Sequence, residues 1–149
     1  MKLSTRSRYG TRLMLDMAQH YNQGPIQLNE IAKRQDISLK YLEQIIRPLK
    51  QARYVNSVRG PKGVHYLSKS PREISVGEIV ALLEGGAKLT RCSDNPETCD
   101  RFEICLTRHV WLEAAKAMYD RLDRITFADL IDLADVACRE DVLGHQDSN

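Results

Sequence analysis

Residues 37–50 read ISLKYLEQIIRPLK and predict a single amphipathic helix. Ser38 is a favoured N-cap residue, and apolar residues follow it at the spacing of a helix with one buried face. These apolar residues are Leu42, Ile45, Ile46 and Leu49. The polar residues left for the other faces are Lys40, Tyr41, Glu43, Gln44 and Arg47. Pro48 removes a backbone hydrogen bond, so we expect the last turn to kink or tighten.

Two helices are predicted upstream of this one. The first covers about residues 4–21 and ends in the NQGP turn of residues 22–25. The second is short and begins near Asn29. Residues 35–37 form the turn that leads into the helix starting after Ser38, so the two helices on either side of this turn are close neighbours in sequence.

A β-hairpin is predicted downstream. Residues 54–58 and 64–67 are β-like runs, and the loop between them is RGPKG. Glycine and proline favour a turn there, and Arg59 and Lys62 make its tip positively charged.

The rest of the chain is predicted to be helical apart from one loop. A helix follows Pro71, with a capping box formed by Ser75 and Glu78, and ends at Gly85. Residues 87–103 lack sustained periodicity and predict a loop. Helices are expected from about Cys105 and over about residues 127–136. We expect four parts: residues 1–84, a first domain; 85–105, a cysteine-rich loop; 105–137, two helices; and 138–149, a disordered tail.

Charge divides the chain in two. Residues 1–72 carry 14 Lys or Arg and 4 Asp or Glu, a net charge of +10, whereas residues 73–149 carry 8 and 16, a net charge of −8. A half this basic attracts polyanions. No apolar run is long enough for a membrane span or a secretory signal, so we expect a cytoplasmic protein without a membrane partner.

The order helix, short turn, helix and basic hairpin is that of a winged helix-turn-helix. We therefore predict a mainly α fold with a two-stranded wing and a C-terminal dimerisation helix, bound to double-stranded DNA. The candidate DNA-contacting residues are Ser38, Lys40, Tyr41, Glu43, Gln44, Arg47, Arg59 and Lys62. Gln can pair with adenine edges, Glu can accept from cytosine, and Arg or Lys can meet guanine or phosphate. The alternative for each residue alone is an ordinary solvated charge.

Several segments resemble the IscR-type Rrf family of winged-helix regulators. They are residues 37–45, the SVRGPKG run of residues 57–63, the opening residues 3–10 and the VGEI run of residues 76–79. The likeness covers about residues 1–135. It implies a homodimer on a roughly palindromic operator, with the helix at residues 39–49 in the major groove and the wing in the minor groove.

Carried over by position, the resemblance makes Glu43 and Gln44 base-reading residues and Arg59 the wing arginine. Lys40 departs from the family, which often has a small polar residue at that position. The operator that this chain prefers can therefore differ from the operators of its relatives.

Three cysteines, Cys92, Cys99 and Cys105, follow the spacing C-x6-C-x5-C. Clustered cysteines in a reducing compartment indicate metal or redox chemistry more than disulfides. Three thiolates suit an iron–sulfur cluster, zinc or copper, and the spacing alone leaves these open. The resemblance implies an iron–sulfur cluster, 2Fe-2S in the first place with 4Fe-4S as the alternative. The segment from Cys105 to Trp111 looks like the family's third-cysteine segment.

The fourth ligand departs from the family pattern. Family members place a histidine three residues after the third cysteine, where this chain has Arg108. His109 follows, and it shares a helical face with Cys105, so it is the candidate ligand. Other members use a carboxylate or a histidine of the partner's first helix as the fourth ligand. This chain has Arg8 and Arg12 at those positions, and arginine is unsuitable as a ligand. The carboxylate alternatives are Asp94, Asp100 and Glu103.

A dimer seam is predicted on the helix after Cys105, because apolar residues recur there at 3-4-3 spacing. These residues are Leu112, Ala115, Tyr119 and Leu122. No nucleophile elbow, phosphate loop or zinc-hydrolase motif occurs, so an enzyme with a small-molecule substrate is not expected. The expected function is a transcriptional regulator, a repressor in the first place, that senses cluster or redox status. The alternatives are a regulator of the same fold acting as a cysteine thiol switch or through a protein partner, and a module with structural zinc.

Overall fold

The computed structural model describes residues 2–60, 63–92 and 95–143, with the backbone only for residues 96 and 138–143. Its α-helices and strands are, in order, α1 (Thr5–Gln19), β1 (Ile26–Gln27), α2 (Leu28–Gln35), α3 (Leu39–Gln51), β2 (Val55–Val58), β3 (Val64–Leu67), α4 (Val76–Glu84), α5 (Leu106–Asp123) and α6 (Phe127–Leu143). Short 3-10 turns occur at Pro71–Glu73, Pro96–Thr98 and Phe102–Ile104. The mainly α winged-helix prediction is confirmed.

Local capping explains where two of the helices begin. The Ser38 hydroxyl accepts a hydrogen bond from the Tyr41 amide at the start of α3. At the start of α4, the Ser75 hydroxyl accepts from the Glu78 amide and the Glu78 carboxylate accepts from the Ser75 amide. Both features follow from the sequence, because each cap is satisfied within one turn of the helix.

The sheet has one more strand than predicted. In the order β1-β3-β2, the predicted hairpin gains β1, which pairs antiparallel with β3 through Ile26 and Gln27. A strand of two residues carries no periodicity, which is why the sequence did not show it. β1 fixes the base of the wing to the start of α2, which follows it directly.

Helix ends differ from the predictions in three places. α1 ends at Gln19, before the positive-φ residue Asn22. α2 begins at Leu28, with Gln27 and not Asn29 at its N-cap position. α6 continues to Leu143, past the predicted end near residue 136, because no Gly or Pro interrupts the chain before Gly144. Residues 138–143 of the predicted disordered tail are thus helical, and residues 144–149 lie outside the described residues.

One hydrophobic core joins the first four helices and the sheet. Leu13, Leu42, Ile45 and Ile79 are fully buried in it. Gly10 allows α1 to pack closely against α4, since a Cβ there would meet the Leu83 side chain at 2.1 Å. Among the described residues, no helix is long and apolar enough to cross a membrane.

The corner between α5 and α6 is attached to this core. The Val76 amide donates to the Ile125 carbonyl at 2.8 Å, and the Phe127 amide donates to the Ile74 carbonyl at 3.1 Å. Phe127 itself is fully buried. The corner between the two C-terminal helices therefore contacts the first domain, residues 1–84, through backbone hydrogen bonds as well as through packing.

Candidate nucleic-acid interface and cysteine segment

α3 presents a polar face to solvent. Lys40, Glu43, Gln44 and Arg47 are exposed, whereas Leu42 and its three apolar companions are buried. Side chains with donors and acceptors free in water can meet base edges or phosphates when the helix enters a groove. The arrangement agrees with the face predicted from the sequence.

Tyr41, another predicted DNA-contacting residue, is held by a contact with α1. Its ring is half-buried and packs edge-on against the Tyr9 ring of α1, with the ring centroids 5.9 Å apart. The Arg12 guanidinium lies over the other ring of this pair, 5.5 Å from the Tyr9 centroid. Arg12 also donates to the Gln35 side-chain oxygen at 3.2 Å and to the Gln35 carbonyl. α1 thereby holds both the turn before α3 and the first turn of α3 itself.

Asp16 lies at the centre of this polar network. Its side chain is 2 % exposed and accepts hydrogen bonds from Arg34 at 2.6 and 3.0 Å and from Gln35 at 2.9 Å. Burial alone raises the pKa of Asp16, but these hydrogen bonds and the Arg34 charge outweigh it and leave the pKa below the usual carboxyl value. Sequence reasoning missed Asp16, because its partners lie 18 and 19 residues away with no local pattern between them.

The wing lies beside the C-terminal half of α3. Arg59 is exposed just after β2, and Lys62 lies outside the described residues. A basic groove, lined by Gln27, Asn29, Arg47, Lys50 and His65, separates α2 and α3 from the wing. Lys50 and His65 were not among the predicted DNA-contacting residues, although Lys50 continues the cationic face of α3.

The cysteine segment, residues 85–105, leads from α4 to α5. Its three thiols are free and partly exposed. The Cys92 thiol contacts the Thr90 hydroxyl at 3.6 Å, and the Cys105 sulfur lies 3.3 Å from the Thr107 hydroxyl. In the part of the chain that the structure describes, no three His, Cys, Asp or Glu side chains lie close enough to hold a metal ion. The donor chemistry suits a cluster, but the structure does not bring the donors together.

Cys105 differs from the other two thiols in its surroundings. It occupies the position before α5, where the hydrogen bond with the Thr107 hydroxyl lowers the pKa of the thiol. The backbone amides of Arg108 and Thr107 and the charge of Arg101 lower it further. A thiol with a lowered pKa is more often the reactive thiolate at neutral pH.

None of the described candidates for a fourth ligand belongs to a group of three side chains that could hold a metal ion. His109 is exposed on α5. The Arg108 guanidinium lies 4.0 Å from the centroid of the Phe102 ring, and its buried Nε has no hydrogen-bond partner among the described residues. Asp100 and Glu103 are exposed, and Asp94 lies outside the described residues.

One carboxylate joins the start of the cysteine segment to α1. Glu84 is the last residue of α4, and its carboxylate accepts hydrogen bonds from the Ser4 amide at 2.8 Å and from the buried Ser7 hydroxyl. Partial burial alone raises the pKa of Glu84, but the bonds from Ser7 and Ser4 leave it below the usual value. The residue that precedes the cysteine segment is thus hydrogen-bonded to the start of the first helix.

Comparison with known families decides how this architecture is classified. The profile of one family, described as Rrf2, an iron-dependent transcriptional regulator, matches residues 3–133. The chain belongs to the Rrf2 family. It is a DNA-binding transcriptional regulator and not an enzyme, as the sequence predicted.

Individual members of the Rrf2 family are similar to this chain over most of its length. The protein named rrf2 of Nitratidesulfovibrio vulgaris is 47 % identical over 88 % of this chain and 87 % of its own length. The solved structure of T. potens IscR is 39 % identical, covers 92 % of this chain and 90 % of that chain, and has a TM-score of 0.74. The oxidised form of Staphylococcus aureus CymR is 38 % identical, covers 87 % and 95 %, and has a TM-score of 0.68.

The face of α5 that was predicted to be the dimer seam of this Rrf2 protein is mostly covered by its own chain. Of the predicted seam, Ala115 and Tyr119 are only 3 and 6 % exposed, because α5 packs this face onto its own chain. The Tyr119 hydroxyl reaches the Gly86 carbonyl at 3.4 Å, and Leu122 packs partly against the core. Leu112 alone of the four is exposed. The predicted seam is therefore largely an intrachain contact.

A different apolar stripe is exposed. It runs along the outside of α5 through Leu106, Val110, Ala114 and Ala117, all exposed, with Trp111 beside it. These positions recur at three- and four-residue spacing and so share one helical face. Leu133 and Val136 of α6 are also exposed, at 63 and 52 %.

Proposed function

We propose that this Rrf2 protein regulates transcription, in the first place as a repressor, by binding an operator as a homodimer whose affinity is set by an iron–sulfur cluster on the cysteine segment. The observation that carries the DNA-binding part is the exposed polar face of α3 beside a basic wing, in a half with a net charge of +10. Electrostatic attraction supplies affinity, and side chains on α3 supply sequence preference.

In this arrangement α3 lies in the major groove and Arg59 reaches the adjacent minor groove. Gln44 pairs with an adenine edge, Glu43 accepts from a cytosine amino group, and Lys40 and Arg47 contact guanine or phosphate. Tyr41 stays packed on Tyr9, so its hydroxyl is the part available to DNA.

Dimerisation uses the exposed stripe of α5. Leu106, Val110 and Trp111 are 81, 57 and 43 % exposed, and a second copy covers them most economically by the same surface in a two-fold contact. Val110→Asp places a charge in this contact and gives a monomer. Lys116→Gln, an exposed position on the same helix but outside this stripe, is the matched control. Sedimentation or light scattering measures the mass, and an unchanged mass for Val110→Asp argues against the stripe.

Cys92, Cys99 and Cys105 are the ligands that this chain offers to a cluster, with His109 as the fourth candidate. A bound cluster supplies a covalent cross-link between parts of a segment in which none of the described side chains is buried. Because the segment starts beside Glu84, its arrangement is passed to Ser4 and Ser7 of α1, and α1 holds the first turn of α3. The protein then shifts between two arrangements that differ in the spacing of the two α3 helices of the dimer, and this spacing changes operator affinity. The difference in stability between the two arrangements sets their populations.

The experiment compares operator affinity of anaerobically reconstituted and cluster-free protein at one salt concentration, with a duplex selected in vitro. We expect different affinities for the two forms, and equal affinities for the triple Cys92, Cys99 and Cys105→Ser variant after both treatments. Iron and sulfide content and visible absorption report loading independently. Superimposable binding curves for loaded and cluster-free protein on every selected duplex refute cluster sensing, while loss of binding by both refutes the DNA-binding assignment.

A thiol switch is the second candidate. It is favoured by the separate, partly exposed thiols, by the lowered pKa of Cys105 and by the similarity to CymR, which has been solved in an oxidised form. Under this alternative, mild peroxide treatment of iron-free protein changes operator affinity and the change reverses with a thiol reductant. Under cluster sensing, iron-free protein responds little to the same treatment.

A further inference from the structure

Leu39 is an exposed apolar residue at the start of α3. It is the first residue of this helix and is 41 % exposed. Leu42 and Leu49 of the same helix are fully buried in the hydrophobic core, whereas Leu39 does not belong to that core. The other exposed residues of α3 are all polar, namely Lys40, Glu43, Gln44, Arg47, Lys50 and Gln51. Leu39 therefore places a single apolar side chain among the polar ones that are proposed to meet DNA.

The position of Leu39 is fixed by the cap of α3. A lone exposed leucine is common on protein surfaces, so what distinguishes Leu39 is where it lies. The Ser38 hydroxyl accepts a hydrogen bond from the Tyr41 amide, and the Ser38 carbonyl accepts one from the Leu42 amide at 3.1 Å. These two bonds enclose Leu39 in an ordered first turn. In a helix-turn-helix, the first residues of the helix in the major groove are the ones that contact base edges.

Glu43 lies one turn after Leu39 on the same side of α3. Residues four apart are neighbours on a helix surface, and both of these side chains line the basic groove between α2, α3 and the wing. The two residues are separated by about 6 Å along the helix axis. Adjacent base pairs are stacked about 3.4 Å apart. When α3 lies along the major groove, Leu39 therefore meets a base pair within about two of the pair that Glu43 contacts.

The major groove offers an apolar side chain one favourable partner. Thymine presents a C5-methyl group there, whereas the edges of guanine, adenine and cytosine are read through hydrogen-bonding atoms. Leucine has no side-chain donor or acceptor, so it leaves those atoms unpaired when it displaces water from them, and this costs free energy. Contact with a methyl group instead removes apolar surface of both partners from water. The residue type at position 39 thus favours thymine.

We propose that Leu39 contacts the C5-methyl group of one thymine in each operator half-site, within about two base pairs of the pair that Glu43 contacts. The proposal rests on the proposed DNA-binding function and its homodimer. Lys40, Gln44 and Arg47 act through hydrogen bonds and charge, so Leu39 adds a preference that these residues do not supply. Leu39 is thus a specificity-determining residue, and its loss broadens the set of operators bound while leaving non-specific affinity almost unchanged.

The experiment replaces each thymine of an in vitro selected duplex, in turn, with deoxyuridine, which lacks the methyl group and keeps the base pair. Wild-type protein loses about fourfold in affinity at one thymine of each half-site, as expected when one methyl group is no longer buried. Leu39→Ala binds the thymine and deoxyuridine duplexes equally at that position. Leu39→Met, which keeps an apolar side chain of similar volume, retains most of the sensitivity.

A second base substitution separates the methyl group from the rest of thymine. At the position found with deoxyuridine, duplexes with cytosine and with 5-methylcytosine differ only in the methyl group. Wild-type protein prefers the methylated duplex, and Leu39→Ala does not distinguish the two. Leu3→Ala is the matched control, because Leu3 is 42 % exposed and lies outside α3, and it keeps the wild-type response to both substitutions. Thermal midpoints of all variants show whether a loss of affinity reflects loss of the fold.

Three results overturn the proposal. One is a folded Leu39→Ala protein that keeps the wild-type sensitivity to every deoxyuridine substitution. Another is wild-type protein that binds its selected duplexes with the same affinity after each of these substitutions. The third is a Leu39-dependent thymine that lies more than about two base pairs from the position at which Glu43→Gln changes the preferred base. Wild-type protein that binds no duplex at all refutes instead the DNA-binding function on which the proposal rests.

Discussion

The winged-helix half and the cysteine segment are held in different ways. Leu13, Leu42, Ile45 and Leu49 of the first region are fully buried, and Ser38 and Ser75 cap two of its helices. In the cysteine segment none of the described side chains is buried, and the regular structure of its described residues is limited to two 3-10 turns. The first region is ordered by burial, which does not depend on a ligand. The second lacks that source of stability, so its order is free to depend on chemistry at the thiols.

The largest expected effect tests this contrast directly. Leu42→Ala removes a fully buried side chain from α3 and lowers the free energy of unfolding by about 3 kcal/mol. Ile104→Ala, at a residue that is 68 % exposed in the cysteine segment, changes it by less than about 0.5 kcal/mol. Urea unfolding of both variants at one protein concentration measures the difference. Equal losses would show that the segment is packed as tightly as the core.

Asp16 sharpens the comparison, because its network orders the turn before α3 without apolar burial. Asp16→Asn keeps the shape but removes the charge that Arg34 and Gln35 bind, and it lowers stability at neutral pH by about 2 kcal/mol. The folded-state pKa of Asp16 is depressed, so the wild-type advantage is present above the ordinary carboxyl pKa and disappears as pH falls through the folded value.

Unfolding free energies of wild type and Asp16→Asn across the acidic range measure this effect. Asp120→Asn, at the exposed pair with Lys116, is the control and changes stability little at any pH. A pH-independent difference for Asp16→Asn would mean that the network acts through shape and not through charge.

Ser38→Ala has a smaller effect on stability and a specific one on binding. Loss of the hydrogen bond from the Tyr41 amide costs about 1 kcal/mol. It also loosens the first turn of α3, so operator affinity falls more than it does for Ser75→Ala, which removes an equivalent cap far from DNA. Parallel unfolding and binding titrations separate the two effects, and equal losses of affinity would contradict a local role for Ser38.

The smallest expected effect is a difference in reaction rate within the cysteine segment. In metal-free protein, Cys105 reacts with iodoacetamide faster than Cys92 or Cys99 near neutral pH, because Thr107 and nearby amides lower its thiol pKa. Peptide mass spectrometry after short labelling times measures the three rates. Thr107→Val should slow Cys105 selectively, and identical rates for all three thiols would show that their environments are equivalent in solution.

The fold was predictable where short-range signals determine it. Ser38, Ser75 with Glu78, and the apolar spacing of α3 each act within one or two turns, so the sequence shows them. β1 is too short to show a period, and Asp16 meets Arg34 only after the helices have packed. Ala115 and Tyr119 of the predicted seam are covered by their own chain, and an apolar stripe in the sequence does not reveal whether its own chain or a partner covers it. The cysteine spacing indicates the chemistry of the donors but not their positions in space.

The hydrogen bonds between residues 74–76 and 125–127 have a consequence for proteolysis. They join the α5–α6 corner to the start of α4 independently of the exposed segment that connects α4 to α5. A protease that cuts once between Gly86 and Ile104 should therefore yield two fragments that remain associated, eluting as one species under native conditions and separating only in denaturant. In that nicked form the chain ends at the cut are free, so it offers a way to ask which properties of the protein need an unbroken backbone there.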